Sequence, residues 1–349
     1  MTNDEGMTKP LSAFFIVGPT ANGKSELAAD VAAKIDAEIV SADAFQIYQG
    51  FNLLTAKPDR VTVAKAPHYL IGSVPLSEEM NAEKFRRAAL RTTKEVHARG
   101  KLVVVVGGTG LYVKALTHGL AATPTDRQLR AELSQLSLDE LRGQLSQLDP
   151  ETAGKIDMNN RRRLVRALEI CLLSGKPVSA QRTQWETVEA ANAVVAAVSA
   201  ASSKAKQTSD EPLGTAASTG KAAASNGVFV FRERDELYER INRRVEAMFE
   251  NGVVEEVVEA AVLSGSGQLS STAAKMIGLH EIQELLDGKM SNLQCIAAIQ
   301  QATRRYAKRQ LTWFRRQTNF EPLNLSLLRH DEAVEWISRK ALSFAPRDD

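Results

Sequence analysis

One short run constrains the fold of this chain more than any other: Gly18-Pro19-Thr20-Ala21-Asn22-Gly23-Lys24-Ser25. It matches the pattern G-x-x-x-x-G-K-[ST], with an apolar stretch before it and an amphipathic stretch after it. Glycines let backbone amides turn toward a phosphate, and the N-terminus of the following helix adds donors and partial positive charge. The run therefore predicts a strand, a phosphate loop and a helix, in that order. An ordinary glycine-rich turn is the alternative interpretation.

Two side chains of the phosphate loop carry specific chemistry. Lys24 supplies a mobile positive charge for terminal phosphates, and the hydroxyl of Ser25 is a ligand for Mg²⁺. The loop recognises phosphate oxygens and nothing in it demands a purine. It therefore predicts phosphate binding but does not name the reaction.

Strand and helix signals alternate along the first part of the chain. Leu102–Val106 is a continuous β-branched run, which is typical of a strand buried on both faces. Such alternation predicts an α/β fold, with a P-loop NTPase-like parallel sheet flanked by helices. The predicted strands are Ala13–Val17, Glu38–Ser41, His68–Gly72 and Leu102–Val106, and the predicted helices are Gly23–Ile35 and Asn81–Arg99, with Asn81 as the N-cap.

The remaining sequence divides the chain further. Its 349 residues correspond to about two domains at roughly 150 residues each. Leucines at helical spacing predict a small all-helical insertion, and an Ala/Ser/Thr/Gly-rich stretch predicts a disordered loop, with an Ala-rich helix over Glu189–Lys206 as its alternative. The predicted segments are 11–120 (first part of the core), 121–186 (insertion), 187–227 (low-complexity loop), 228–325 (second part of the core) and 326–349 (C-terminal helix and tail).

After the low-complexity loop, a strand at Val228–Phe231 is followed by helical patterns only. The predicted helices there are Asp235–Glu250, Val253–Leu263, Ser291–Arg316 and Asp331–Leu342.

Two loops beyond predicted strands are candidates for ligand contact, because parallel sheets bind ligands at the carboxyl ends of their strands. Asp43 follows the second strand and is a candidate general base or Mg²⁺ partner, with a helix N-cap or a solvated loop residue as the alternative. Thr109 lies in the glycine turn Gly107-Gly108-Thr109-Gly110, where amides and a hydroxyl could meet a diphosphate or a reacting amine. A plain tight turn is the alternative there.

Basic residues are concentrated locally although the net charge is only +2. One cluster is Arg161–Arg166, in the predicted insertion. The other lies within Ile299–Arg316, where Tyr306, Trp313 and Phe314 stand among the cations. Lys and Arg near aromatic residues suit contact with a nucleic-acid backbone and its bases, whereas solvated helix faces are the alternative.

Composition and cysteine content indicate the class of protein and the cellular compartment to expect. Hydrophobic residues make up 44% and charged residues 25% of the chain, which are ordinary globular values. Its two cysteines, Cys171 and Cys295, are far apart in sequence and predict neither a metal pair nor a disulfide framework. Because no targeting or membrane-spanning pattern stands out, we expect a cytoplasmic protein without a membrane partner, acting as a monomer.

Taken in order, the motifs resemble those of tRNA dimethylallyltransferases, also called tRNA isopentenyltransferases. The resemblance covers about residues 11 to 320, apart from 190–227, and the ordered series is more specific than any one motif. Besides the phosphate loop it rests on Ser41–Tyr48, Thr55–Pro58, Ala66–His68, Phe85–Arg86, Val106–Tyr112, Arg163–Glu169, Ser174–Pro177 and Lys308–Arg315.

The resemblance implies a reaction. Enzymes of this family transfer a dimethylallyl group from dimethylallyl diphosphate to the N6 amine of the adenosine 3′-adjacent to the anticodon of tRNA, and Mg²⁺ assists as diphosphate leaves. Asp43 then corresponds to the general base, Thr109 to a contact of the amine and the bridging oxygen, and Arg244 to a diphosphate clamp. The implied diphosphate contacts are Gly18, Pro19, Thr20, Ala21, Asn22, Gly23, Lys24, Ser25 and Arg240, with Mg²⁺ on Ser25.

The resemblance also implies contacts with the anticodon stem-loop, which the helical insertion would clamp. The corresponding residues are Asp43, Ala44, Phe45, Gln46, Arg130, Arg162, Arg163, Leu164, Val165, Arg166, Lys275, His280, Lys308, Arg309, Gln310, Leu311, Thr312, Trp313, Phe314 and Arg315.

The chain departs from the family pattern at three places. Lys275–His280 stands where many members have Arg-x-x-Gly-Tyr-Arg, so bidentate arginine geometry is lost there. Asn52–Leu54 stands where a glycine is more usual, and residues 190–227 have no familiar counterpart.

Three other functions compete with tRNA prenylation. The first is prenylation of free adenine nucleotides, which needs no extended cationic surface. The second is a P-loop NTPase or small-molecule kinase, and the third is an RNA-binding protein with a degenerate phosphate site.

Overall fold

The computed structural model describes residues 13–120, 123–180, 226–263 and 269–344. Contacts among them form two compact units, which are considered separately. The first unit, called the core below, contains the described residues of Met1–Gly119 and Lys221–Asp349. The second, called the insertion, contains those of Leu120–Gly220.

The core is built on one six-stranded parallel sheet, with strand order β3-β2-β4-β1-β5-β6. Its central strand β1 pairs with β4, where Phe14 lies opposite Val104, and with β5, where Phe15 lies opposite Gly227. The loop after β1 is therefore flanked by the loops after β4 and β5. The strands are β1 Phe14–Val17, β2 Ala37–Ser41, β3 His68–Tyr69, β4 Leu102–Gly107, β5 Gly227–Phe231 and β6 Glu321–Asn324.

Helices account for most of the other described residues. The helices of the first part of the core are α1 Lys24–Lys34, α2 Arg60–Ala64, α3 Ala82–His97 and α4 Gly110–Thr117. Those of the insertion are α5 Arg127–Leu133, α6 Leu138–Leu148, α7 Pro150–Lys155 and α8 Arg161–Ser174. The second part of the core has α9 Arg234–Glu250, α10 Val253–Leu263, α11 Leu279–Leu286, α12 Asn292–Phe314 and α13 His330–Phe344, with a short 3₁₀ turn at Ala273–Lys275.

Apolar side chains cover both faces of the sheet because successive residues of a strand point to opposite sides. Phe15 and Val17 of β1 pack into one cluster, with side chains of α3, α4, α9 and α12. Phe14 and Ile16 pack into another, with side chains of α1 and α13. The predicted α/β class, with a parallel sheet flanked by helices, is confirmed.

Most predicted elements of the core are present with small shifts of their ends, and Asn81 caps α3 by accepting from the amides of Glu83 and Lys84. Helices α2 and α11 and strand β6 were not predicted, and β3 is shorter than expected. Gly227 was placed in the low-complexity loop, but it begins β5. Residues 181–225 of the predicted insertion and loop, including the alternative helix, lie outside the described residues.

The insertion has an apolar centre of its own. Leu141, Leu145, Leu164 and Leu168 are fully buried in it, as the leucine spacing predicted, and the described residues of this unit contain helices and no strand. Ser137 begins α6 with a capping box, in which Ser137 and Glu140 exchange hydrogen bonds with each other's amide. Among the residues that the structure describes, no helix is long and apolar enough to cross a bilayer.

Candidate active site

The phosphate loop joins β1 to α1 at the carboxyl edge of the sheet. Gly23, the residue before α1, has φ of 90°, a conformation that strongly favours glycine. A side chain at Gly18 would place its Cβ 2.2 Å from the carbonyl oxygen of Val230. The two glycines of the sequence pattern are thus required by the backbone itself, one by conformation and one by close packing.

Asn22 fixes the loop from inside. It is fully buried, and its Nδ2 donates to the carbonyl oxygen of Val230 at 2.8 Å while its Oδ1 accepts from the amide of Lys24 at 3.0 Å. The side chain therefore ties the loop to β5. Asn22 was assigned to diphosphate binding, and the structure gives its side chain this supporting role.

Three arginines of the second part of the core contact the loop. Arg232, just after β5, donates from Nε to the carbonyl oxygen of Asn22 at 3.0 Å, and Arg240 of α9 donates from Nε to that of Ala21 at 2.9 Å. Arg244 donates from Nη2 to the hydroxyl of Thr20 at 3.0 Å. Sequence reasoning missed Arg232, although a basic residue directly after a strand that pairs with β1 could have drawn attention to it.

The guanidinium of Arg244 is only partly used in hydrogen bonds within the protein. Its Nε is buried and has no hydrogen-bond partner among the described residues. Burial, the largest influence, lowers the pKa of this guanidinium to about 10, and only Asp43 opposes that shift. A buried cationic donor of this kind is costly unless an anion binds it, which favours Arg244 as the diphosphate clamp.

Lys24 lies on the same side of the loop. Its Nζ donates to the carbonyl oxygen of Pro19 at 3.2 Å. Burial lowers the pKa of Lys24 to about 8, with Asp43 opposing the shift and Arg244 adding to it.

Diphosphate affinity is expected to fall as the pH rises through about 8, because the lowered pKa means that Lys24 loses its proton there. Calorimetry with a simple alkyl diphosphate, whose own ionisation is complete by neutral pH, measures this. Affinity should fall by up to about tenfold per pH unit above the pKa. Lys24→Met should abolish the dependence; a wild-type affinity constant from pH 7 to 9.5 would contradict it.

Asp43 and Thr109 follow β2 and β4 and lie in contacting loops. Oδ1 of Asp43 accepts from the amides of Phe45 at 2.9 Å and Gln46 at 3.2 Å. Thr109 accepts from the amide of Ala44 at 3.0 Å through its Oγ1. Residues 44–47 form turns and not a helix. One carboxylate oxygen of Asp43 thus orders its own loop, and the hydroxyl of Thr109 holds that loop against the glycine turn.

A largely apolar cavity that is partly open to solvent lies beside these polar groups. Thr20, Asp43 and Arg244 supply its polar side. Its other lining residues are mostly apolar: Phe45, Leu54, Thr55, Ala56, Val245, Met248, Phe249, Val253, Met276, Ile277, Ile299, Thr303 and Tyr306. The arrangement suits a ligand with an anionic head and a short apolar tail.

Ser25 fits the role of a Mg²⁺ ligand. It lines a cavity with Lys24, Asp43 and Gln46, next to the first turn of α1. In the described ranges no three His, Cys, Asp or Glu side chains converge. Mg²⁺ is commonly held by one or two protein oxygens together with substrate phosphates, and a single hydroxyl beside the phosphate loop suits that mode.

The predicted tRNA contacts of α12 lie on different faces of the helix, some exposed to solvent and some packed on the core. Lys308, Arg309, Thr312 and Arg315 are exposed. Leu311 and Trp313 are half-buried and pack on the core, and a Cβ at Gly110 would lie 2.6 Å from the Trp313 ring. Arg309 lies over the ring of Tyr306, 5.6 Å from its centre.

Four predicted tRNA contacts are corrected by their burial. Gln310 and Phe314 lie on the inner side of α12, and Leu164 and Val165 lie in the centre of the insertion. Their side chains serve packing and internal hydrogen bonds because the fold encloses them.

The other predicted tRNA contacts differ in whether they form ion pairs within the protein. Arg162 and Arg163 are exposed, whereas Arg130 and Arg166 bind the fully buried carboxylate of Glu169 at 2.9 Å and 2.6 Å. These ion pairs give Arg130 and Arg166 a structural role in the insertion. Lys275 and His280 are exposed, and His280 lies 3.6 Å from Glu284.

Comparisons with known proteins identify the family of this chain. A family model described as IPP transferase matches residues 46–317. The tRNA dimethylallyltransferase of Akkermansia muciniphila is 38% identical over 304 residues, which cover 87% of this chain and 90% of the relative. That of Geobacter sulfurreducens is 38% identical over 331 residues, covering 93% and 91%. The crystal structure of full-length tRNA isopentenylpyrophosphate transferase from Bacillus halodurans has 31% identity and a TM-score of 0.63, covering 95% of both chains. The chain therefore belongs to the IPP transferase family.

Proposed function

We propose that this chain transfers a dimethylallyl group from dimethylallyl diphosphate to the N6 amine of the adenosine 3′-adjacent to the anticodon in tRNA. The observation that carries the proposal is the apolar cavity that begins at Thr20, Asp43 and Arg244. A prenyl diphosphate has an anionic head for the loop and a hydrocarbon tail for the cavity. A nucleoside triphosphate would place a polar ribose among methionine and phenylalanine side chains, which disfavours a kinase or NTPase.

The chain's cationic groups act on the leaving diphosphate. The N6 lone pair forms a bond to C1 of the dimethylallyl group as the bond between C1 and the bridging oxygen breaks, and diphosphate departs with that electron pair. Lys24 and Arg244 line the same opening beside the phosphate loop, and their positive charges would bind the departing oxygens. Donors fixed in advance stabilise such developing charge without reorganising.

Asp43 takes the proton that N6 loses. An aromatic amine is a weak nucleophile, so a carboxylate within reach helps as positive charge develops on its nitrogen. Thr109, which holds the Asp43 loop through Ala44, keeps that carboxylate close to the glycine turn. Mg²⁺, held by Ser25 and phosphate oxygens, would neutralise charge on the diphosphate.

The target nucleotide is proposed to belong to tRNA because each of the two units carries an exposed basic face. Lys308, Arg309 and Arg315 form one exposed basic face on α12, and Arg162 and Arg163 form another on the insertion. A free nucleotide would need no such surface. The anticodon loop is single-stranded, so its bases can be unstacked and bound individually.

Replacing both Lys308 and Arg309 by alanine is expected to weaken tRNA binding and to lower the slope of log affinity against log salt by about 2, since each cation releases roughly one counterion. Binding titrations at several salt concentrations measure the slope. The matched control replaces Arg329 and Arg339, which are 73% and 72% exposed on another part of the core. Equal slopes for the two double variants would assign the α12 cations to a solvated face.

The direct test uses labelled dimethylallyl diphosphate, Mg²⁺ and either bulk tRNA or AMP as acceptor. Label in tRNA alone is expected. Label in AMP alone would favour the free-nucleotide enzyme, and label in neither acceptor would overturn both prenylation proposals.

A further inference from the structure

Gln310 joins the two loops that face the reacting groups. It lies in α12 with 5% of its surface exposed, below the basic face. Its Oε1 accepts from the amide of Thr20 in the phosphate loop at 2.9 Å. Its Nε2 donates to the carbonyl oxygen of Gly108 in the glycine turn at 2.8 Å. The oxygen and the nitrogen of this buried side-chain amide thus form hydrogen bonds with two loops that follow different strands.

The two loops also touch directly, so their separation is closely defined. The amide of Gly18 donates to the carbonyl oxygen of Gly107 at 3.2 Å. A Cβ at Gly108 would lie 2.8 Å from the Gly18 oxygen and 2.3 Å from Nε2 of Gln310. Gly108 therefore has no room for a side chain, and Gln310 hydrogen-bonds to both loops.

We infer that Gln310 is a positioning residue that sets the distance between the phosphate loop and the turn carrying Thr109. The inference rests on the proposed function, in which the phosphate loop holds the leaving diphosphate and the glycine turn lies beside the reacting amine. Gln310 touches neither substrate.

The geometry predicts a loss of rate and a smaller loss of affinity. A misplacement of about 1 Å between reacting groups costs on the order of 10²-fold in rate. Replacing Gln310 by leucine removes both hydrogen bonds while keeping a similar volume. The single-turnover rate of prenyl transfer at saturating tRNA and dimethylallyl diphosphate should fall about 10- to 100-fold. Affinity for tRNA should stay unchanged, because Gln310 lies beneath the exposed face.

Gln300→Leu is the matched control. Gln300 belongs to the same helix and donates to the oxygens of Asn242 and Glu246, at 3.4 Å and 2.9 Å, and not to either loop. It should retain the wild-type rate. Similar rate losses in both variants would assign Gln310 to general packing and overturn the inference, as would a Gln310→Leu rate within twofold of wild type.

Gln310→Glu provides a second test, a dependence of the rate on pH that a loss of packing alone would not produce. It also replaces the leucine variant if that variant fails to fold. A buried carboxyl group has a raised pKa and is neutral at the lower end of the accessible range. The neutral acid keeps an acceptor for Thr20 and regains a donor for Gly108, whereas the carboxylate has no donor. The rate of Gln310→Glu relative to wild type should therefore rise as the pH is lowered from 8 to 6. A pH-independent ratio would overturn the inference.

Binding of inorganic diphosphate separates this inference from the proposed function. Calorimetry with Mg²⁺ should show affinity about tenfold weaker in Gln310→Leu than in Gln300→Leu, because the loop loses a hydrogen bond that orders it. If wild type transfers no prenyl group but this difference is present, the proposed function fails and the positioning role stands. If wild type is active and the two variants bind diphosphate equally, the positioning role fails.

Discussion

Asp43→Asn is expected to lower the single-turnover rate of prenyl transfer by about 10²- to 10⁴-fold, the range for loss of a general base. Asparagine keeps an oxygen where Oδ1 of Asp43 accepts from the amides of Phe45 and Gln46. It therefore preserves the turn and removes only the ability to take a proton. Rapid-quench measurement at saturating tRNA and donor gives the rate of the chemical step.

Asp43 has two proposed roles, ordering its own loop and accepting the proton from N6. Comparing Asp43→Asn with Asp43→Ala distinguishes them. If the aspartate only orders its loop, the asparagine variant should be active and the alanine variant impaired. If it is the base, both should be inactive. Asp36→Asn is the matched control, since Asp36 is exposed, pairs with Lys101 and has φ of 52°, which asparagine tolerates. An asparagine variant at Asp43 with near wild-type rate would remove the proposed base.

Lys24→Met is expected to lower the transfer rate by about 10²- to 10³-fold, because it removes a full positive charge that is fixed in advance beside the leaving diphosphate. Methionine fills most of the lysine volume, so the loop should keep its packing. Affinity for tRNA should be retained, since Lys24 lies in the phosphate loop and not on a basic face.

Lys34→Met is the control for this substitution. Lys34 belongs to the same helix, is about half exposed and pairs with Glu335, and an exposed pair of this kind contributes little to stability. Single-turnover rates and melting temperatures of both variants distinguish charge loss at the site from general destabilisation. A Lys24→Met rate within tenfold of wild type would show that the lysine does not stabilise the leaving group.

Local patterns were sufficient to predict that the phosphate loop, Asp43 and Thr109 lie in neighbouring loops, whereas Arg244 was implied only by the family resemblance. The phosphate loop, Asp43 and Thr109 each follow a short buried strand, and three adjacent parallel strands bring their carboxyl ends to one edge of the sheet. Each signal is contained in a few consecutive residues. Where these groups lie relative to one another therefore followed from the fold class alone.

Helical periodicity could have separated the buried residues of α12 from the exposed ones. The family resemblance implies Lys308–Arg315 as one tRNA contact region. The structure buries Thr303, Ala307, Gln310 and Phe314, spaced three or four residues apart, and exposes the cations between them. This is the ordinary 3.6-residue spacing of a helix, and it separates the internal Gln310 from its exposed neighbours.

The apolar cavity and Arg232 could not be predicted in the same way. The cavity combines side chains from the loops after β1 and β2 with others from α9, α10 and α12. Arg232 acts on a loop whose residues lie about two hundred positions earlier in the chain. Such sites depend on tertiary placement, which neither composition nor spacing within one segment specifies.

The pairing of β1 with β5 has a consequence for synthesis of the protein. The phosphate loop is synthesised before its anchors Val230, Arg232 and Arg240, which are made some two hundred residues later. At about 5–20 residues per second, that interval is on the order of 10–40 s. A nascent chain that ends before β5 would carry the complete loop motif without the partners that hold its shape. Diphosphate affinity is therefore a late event in biogenesis, and ribosome-bound chains of graded length should acquire it only after α9 has emerged.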